Sequence, residues 1–132
     1  MGTSPPKIST RVRGAVTEIA EFDCDTLAAV DDLVRVSATV NAFVDVVIDN
    51  QDARPVIGRI YEKITSTRCK VILRGVIDVS SLLATGRIIL GTSGEFTHYT
   101  TNVLPGYVQE LGYCFGNGKM HLQPNAKVTL RG

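Results

Sequence analysis

Two histidines, three cysteines and thirteen carboxylates are the side chains in this chain best suited to chemistry. His98 and His121 sit on different strand-like segments. They lack the i, i+4 spacing that puts two imidazoles on one helical face to hold a metal. Each reads as an ordinary strand histidine, and His121, next to Met120 and Leu122, is expected to face solvent. Cys24, Cys69 and Cys114 are odd in number and widely spaced, with no Cys-x-x-Cys. They predict neither a zinc site nor a disulfide framework, and read as buried thiols in a reducing compartment. Asp23, Asp25, Asp31 and Asp32 lack the Gly and terminal Glu of a calcium loop and predict a solvated connection. Asp45, Asp49 and Asp52 read the same way. Neither a nucleophile elbow nor a Gly-rich phosphate loop occurs. The expectation is a chain with no catalytic residues, no metal and no cofactor, and therefore not an enzyme.

Charge and composition narrow the partners. Fourteen Lys and Arg face thirteen Asp and Glu, a formal net charge of +1. Non-specific nucleic-acid binding needs a clear basic excess, so nucleic acid is not an expected partner. Aromatics are 6% with no Trp, a poor supply for base stacking or a sugar cleft. With 44% hydrophobic and 20% charged residues, wholesale disorder is excluded. The opening Met1-Gly-Thr-Ser-Pro-Pro6 has no apolar signal core, and no run approaches the ~20 apolar residues of a membrane helix. The expectation is a chain made in a cytosol, without a membrane partner.

These side chains must be positioned by strands. Val, Ile and Thr make 39 of the 132 residues, and their stiff side chains favour extended backbone. Twelve Gly and five Pro divide the chain into short pieces. The clearest strand is Cys69–Val79, where Cys69, Val71, Leu73, Ile77 and Val79 predict one buried face and Gly75 a bulge or bend. Arg68, Lys70 and Arg74 lie on its exposed face: an ordinary solvated face, a charged guard on a sheet edge, or a contact for an acidic protein surface. Further strands are predicted over Arg11–Ile19, Leu33–Ser37, Ala42–Ile48 and Val56–Ile64, the last with Val56, Ile60 and Ile64 on one face. Gly86–Gly91, Glu95–His98, Tyr107–Phe115, Lys119–Gln123 and Lys127–Arg131 complete nine or ten. Asn117-Gly118 is the strongest hairpin signal, and Thr92-Ser93-Gly94 is a second. Asp25 as a cap admits a helix over 26–33, and Ser80 admits a single turn at 81–84. The chain thus predicts an all-β domain, a compact antiparallel β-barrel or sandwich over residues 11–132. Before it, Pro5-Pro6 predicts an extended N-terminal arm over residues 1–10.

The C-terminal half carries a recognisable arrangement. It runs Leu82-Leu83-Ala84-Thr85-Gly86-Arg87-Ile88-Ile89-Leu90-Gly91-Thr92-Ser93-Gly94-Glu95-Phe96-Thr97. After a short loop comes Leu104-Pro105-Gly106-Tyr107-Val108-Gln109-Glu110-Leu111-Gly112-Tyr113. This resembles a small β-barrel module of tailed-bacteriophage virion proteins. Their pattern is a Gly before an apolar strand, a hairpin Gly followed by Thr, then Pro-Gly-x-Val-Gln-x-Leu-Gly. Asp32-Leu33-Val34 and Pro55-Val56-Ile57-Gly58 resemble the first half of such modules. The resemblance covers about residues 30–131, loosely over 68–79, and not the first ten. Leu104 stands where a second Pro is common, and Tyr113 and Cys114 replace small residues.

The resemblance implies fold-building roles for Gly86, Gly91, Gly94, Pro105, Gly106, Gln109 and Gly112. Gly91 and Gly94 would allow tight reversal, Pro105 would start a strand, and Gly112 would permit close backbone approach. It also implies a role: a head decoration (cement) protein on the outer capsid surface of the virion, made in the host bacterial cytoplasm. The partner would be the major capsid protein, and the form a homotrimer where capsomers meet. The capsid contact would fall to Ser4, Pro5, Pro6, Lys7, Ile8, Ser9 and Thr10, with Lys7–Thr10 the stretch able to pair with a strand. The alternative is a tail, neck or fibre component, including one that binds a host receptor.

Overall fold

The computed structural model describes residues 17–99 and 105–131. Among them the chain is all-β, with eleven strands and no helix. In chain order these are β1 (Glu18–Cys24), β2 (Leu33–Val36), β3 (Phe43–Val46), β4 (Val56–Thr65), β5 (Arg68–Asp78) and β6 (Gly86–Leu90). Then come β7 (Phe96–His98), β8 (Gly106–Val108), β9 (Glu110–Gly116), β10 (Lys119–Leu122) and β11 (Thr129–Arg131). Residues 1–10, with every predicted capsid contact, lie outside the described residues, as does the start of the strand predicted over Arg11–Ile19.

The first five strands form a closed ring. β1 pairs with β3, β3 with β2, β2 with β4, β4 with β5, and β5 returns to β1. Closure removes the open edges that invite pairing with another chain. The predicted barrel is therefore present, with one departure: β1 and β3 run parallel, Asp23 opposite Phe43 and Cys24 opposite Val44. A five-strand ring has a narrow bore, and the residues that fill it are mostly small or β-branched. Cys24, Ala28, Val34, Val44, Ile60, Cys69 and Val71 are all buried there.

β5 then leaves the ring. Its second half pairs with β10, and the sheet continues through β9 and β6 to β7 at the edge. This sheet lies over the outside of the barrel, and a second core forms between them. The barrel strands and the loop after β3 give Leu33, Val47, Val56 and Ile72 to it, and the sheet gives Ile77, Ile88, Leu90, Leu111, Met120 and Leu122. β2 and β5 each serve both cores by alternation: Val34 and Val71 point inward, Leu33 and Ile72 outward.

Four expectations are corrected here. Cys69, Val71 and Ile77 are buried, but not on one face. Glu18 pairs with Arg74 while Ile19 pairs with Ile72, so β5 carries an extra residue against β1. That bulge reverses parity and sends Ile77 to the core that Ile72 faces. Ile64 does not share the buried face of Val56 and Ile60: two register shifts in β4 turn it out to solvent. Tyr107–Phe115 is two strands, parted at Gln109; β8 pairs with β11, whereas β9 pairs with β6 and β10. Residues 26–32 form turns instead of a helix. The Asp25 and Asp32 carboxylates take the Leu27 and Ala29 N–H groups at 2.9 Å each, and Leu27 is 89% exposed, leaving no apolar face to hold a helix down. The Ser80 turn is present, with Leu83 N–H donating to Ser80 C=O. At the β9–β10 hairpin, Asn117 and Gly118 both take positive φ (57° and 74°), as the sequence predicts.

Candidate functional site

Of the residues that carry the resemblance, Gly94, Pro105, Gly106 and Gln109 meet the barrel half, where two buried amides act, whereas Gly86, Gly91 and Gly112 pack within the sheet. Gln109 is 2% exposed. Its Oε1 accepts from Val56 N–H at 2.8 Å, and its Nε2 donates to Val56 C=O at 2.9 Å and Asn125 C=O at 2.8 Å. The side-chain amide thus stands in for a strand at the start of β4. Asn50, also buried, donates to Pro105 C=O at 2.8 Å, while its own C=O accepts from Tyr107 N–H at 2.7 Å. Gly106 between them has φ +96°, and a Cβ there would sit 2.8 Å from the Asn50 backbone oxygen. Gly112 packs as predicted, its hypothetical Cβ 2.0 Å from the His121 carbonyl. Gly94 has positive φ in the β6–β7 turn. Gly91 does not; a Cβ there would meet the Thr97 Oγ1 at 2.2 Å and the Glu95 carboxylate at 2.5 Å. At Gly86 the nearest atom to such a Cβ is His98 Nε2, at 2.8 Å.

The candidate chemistry is dispersed. All three thiols are buried and free. Burial, with Cys24 beside it, pushes the Cys69 thiol up to about 12, so it stays protonated and unreactive. His98 is exposed, its Nε2 3.0 Å from the Thr85 carbonyl. His121 is half-buried instead of solvent-facing, because its outward ring lies among Arg87, Tyr113 and Gln123, and its Nε2 is shielded without a hydrogen-bond partner. Among the described residues no three His, Cys, Asp or Glu side chains converge as a metal site would require.

The basic stripe on β5 is neutralised within the chain. Arg68 pairs with Asp23 at 3.0 Å and Glu21 at 3.5 Å, Lys70 with Glu62 at 3.7 Å, and Arg74 with Glu18 at 3.2 Å. These are cross-strand pairs on the barrel exterior. Asp23 is one of them, and it raises the Arg68 pKa further. A tighter network escaped the sequence reading. Arg54 binds Asp52 at 2.7 Å and Asp45 at 2.8 Å, and buried Arg35 reaches Asp52 at 3.3 Å. Hydrogen bonds from the Arg54 guanidinium, then from its N–H, hold Asp52 well below the usual carboxylate range. Asp52-x-Arg54 was the signal available: an Asp that turns the chain back on its own i+2 residue.

One concave feature stands out. Where the second core opens to solvent, two depressions of about 350 and 400 Å³ meet at a shared pair, Arg59 and Asp31. The first is floored by Leu33, Val47, Val79 and Phe96, core residues that the sheet does not fully cover. The second is lined by Tyr61, Ile72, Val76 and Ile77. The rims are acidic: Asp31, Asp32, Glu95 and Asp78 against Arg59 and Lys119. Arg59 spans the cleft, donating to Asp78 C=O at 3.0 Å and lying 3.5 Å from Asp31. Asp31 takes φ +79°, its N–H donates to Ile60 C=O at 2.9 Å, and it lines both depressions. No spacing in the sequence marks this cleft, because its walls come from six separate segments. Compared with family models, with curated proteins and with solved structures, the chain shows no match.

Proposed function

We propose that the chain is a structural protein of a tailed-bacteriophage virion, a decoration (cement) protein that seats on the outer surface of the mature head. The reading takes the kind of assembly from the resemblance over residues 30–131. It takes the kind of contact from the surface, and one observation carries it. Among the described residues, eight of the ten Lys and Arg side chains pair with the chain's own carboxylates, whereas large apolar side chains stand in solvent. Leu82 is 93% exposed, and Phe115 is exposed at the same end of the sheet, where Leu83 C=O accepts from Cys114 Sγ. Such a surface has little free positive field for a polyanion and has apolar area to bury against protein.

The work of such a protein is mechanical. It binds the expanded shell and not its precursor, so it stabilises the expanded state by linkage. A trimer at a point where capsomers meet turns weak contacts into avidity. The major capsid protein is the proposed partner, with Ser4–Thr10 as contact residues in addition to the exposed apolar side chains.

The test mixes purified protein with undecorated expanded heads and pellets them. Co-sedimentation at micromolar concentration, lost in Leu82→Ser/Phe115→Ser or on deleting residues 1–10, is the expected result. Protein that remains in the supernatant removes the decoration reading. Mass in solution separates the tail or neck alternative, since a six- or twelve-membered ring is incompatible with a trimer.

A further inference from the structure

The acidic cleft at the junction of barrel and sheet has an occupant available within the chain. Residues 1–16 hold Lys7, Arg11 and Arg13 and no carboxylate, so eleven cations face thirteen acids in the rest of the chain. The two depressions concentrate that deficit, with four carboxylates against two cations around an apolar floor. The same sixteen residues carry apolar side chains between their cations, at Ile8 and Val12, and after them, at Val16. The point of departure is also right. Thr17 packs against Gly75, where a Cβ would meet its Oγ1 at 3.0 Å. The next residue, Val76, lines the second depression. Sixteen extended residues reach roughly 50 Å, ample to follow both depressions past Arg59.

We propose that residues 1–16 dock in this cleft of their own molecule. Ile8 and Val12 lie on the floor that Val76, Ile77, Leu33 and Phe96 leave open. Lys7, Arg11 and Arg13 lie against Asp31, Asp32 and Glu95. The apolar part supplies the affinity, and the charges set direction and make the contact sensitive to salt. Being intramolecular, the contact needs only modest intrinsic strength. It concerns the free protein and does not depend on the capsid reading.

A nitroxide placed on Ile8→Cys in the full chain tests it, since the three native thiols are buried and will not label. The expected result is loss of amide signal at Tyr61, Val76 and Phe96, with Ser66 and Thr67 in the β4–β5 turn unaffected. The loss should be reduced in 1 M salt, and in Lys7→Glu/Arg11→Glu/Arg13→Glu, as the charged part of the contact is removed. A second sample mixes isotope-labelled protein without nitroxide and nitroxide-bearing protein without isotope. It should show no loss. Uniform signals in the first sample, or loss centred on another surface, overturn the proposal. Loss in the mixed sample also overturns it, because the cleft then takes the segment of a second copy.

Discussion

The barrel and the sheet that lies on it are built from similar strands but held by different means. The barrel closes on itself through backbone hydrogen bonds and needs only a thin filling of Val, Cys, Ala and Ile. The sheet cannot close. Its last strand, β7, has three residues, and its core is completed only by Leu33, Val47, Val56 and Ile72 of the barrel half. It therefore relies on buried amides, Gln109 and Asn50, that tie its strands to the barrel by directional bonds. The lesson is one of dependence. The barrel is a self-contained unit, whereas the sheet is a cover that needs the barrel beneath it.

Glycine substitutions should break this comparison most sharply. Gly58→Ala puts a Cβ 2.1 Å from Ile72 C=O inside the ring, and Gly112→Ala puts one 2.0 Å from His121 C=O inside the sheet. Each should destabilise by on the order of 4 kcal/mol. Native-state hydrogen exchange should separate them. Gly58→Ala should deprotect both halves, whereas Gly112→Ala should deprotect β6, β9 and β10 and leave β2–β4 protected. Equal loss in both halves of Gly112→Ala would end the claim that the barrel is self-contained.

Gln109→Leu comes next. It fits the volume but leaves Val56 N–H, Val56 C=O and Asn125 C=O without partners, so it should lower unfolding free energy by about 3 kcal/mol. A denaturant midpoint within error of the parent would mean that the amide is not a clamp.

Asp52 belongs to the barrel's rim and should behave differently again. Its carboxyl is depressed in the folded state, so its contribution is complete above the ordinary value near 4 and is lost as pH falls through the folded one. Asp52→Asn should reduce stability by about 1 kcal/mol at pH 7, a figure discounted for its exposure. The gap from the parent should narrow steadily below pH 4. A gap independent of pH would show that charge is not what Asp52 contributes. The smallest effect is expected at Arg68→Ala, where an exposed pair is removed from the closed ring: the thermal midpoint should not move measurably.

Much of the strand pattern was legible because its signals are local. Cys69–Val79, Val56–Ile64 and Lys119–Gln123 announce themselves by β-branched residues between turns, and Asn117-Gly118 by the positive φ that both residues tolerate. The errors share a cause. The parity change before Gly75 and the break at Gln109 arise where one strand changes partners, and the exposure of Ile64 arises at register shifts against β5; neither partner choice nor register is local. The failed helix at 26–33 has the same origin: its period is acceptable, but no surface is present to receive Leu27.

For the candidate site the division is wider. Gly106, Gln109 and Gly112 were singled out by resemblance, yet what each touches lies far away in the chain. Gln109 meets Val56 fifty-three residues earlier, and Asn50 meets Pro105 fifty-five residues later. The cleft had no sequence signal at all, since Asp31, Arg59, Val76 and Phe96 become neighbours only when the sheet is laid across the barrel.

By itself, then, the sequence determined the alphabet of strands and turns, a net charge of only +1, and the cationic character of residues 1–16. Those properties follow from residue type and short-range sterics. Only the tertiary structure decided that five strands close, that the rest form a cover, and that the seam between them is acidic and open. Those depend on which long-range pairings bury the most apolar surface while leaving no backbone group unpaired, and that balance is struck by the whole chain at once.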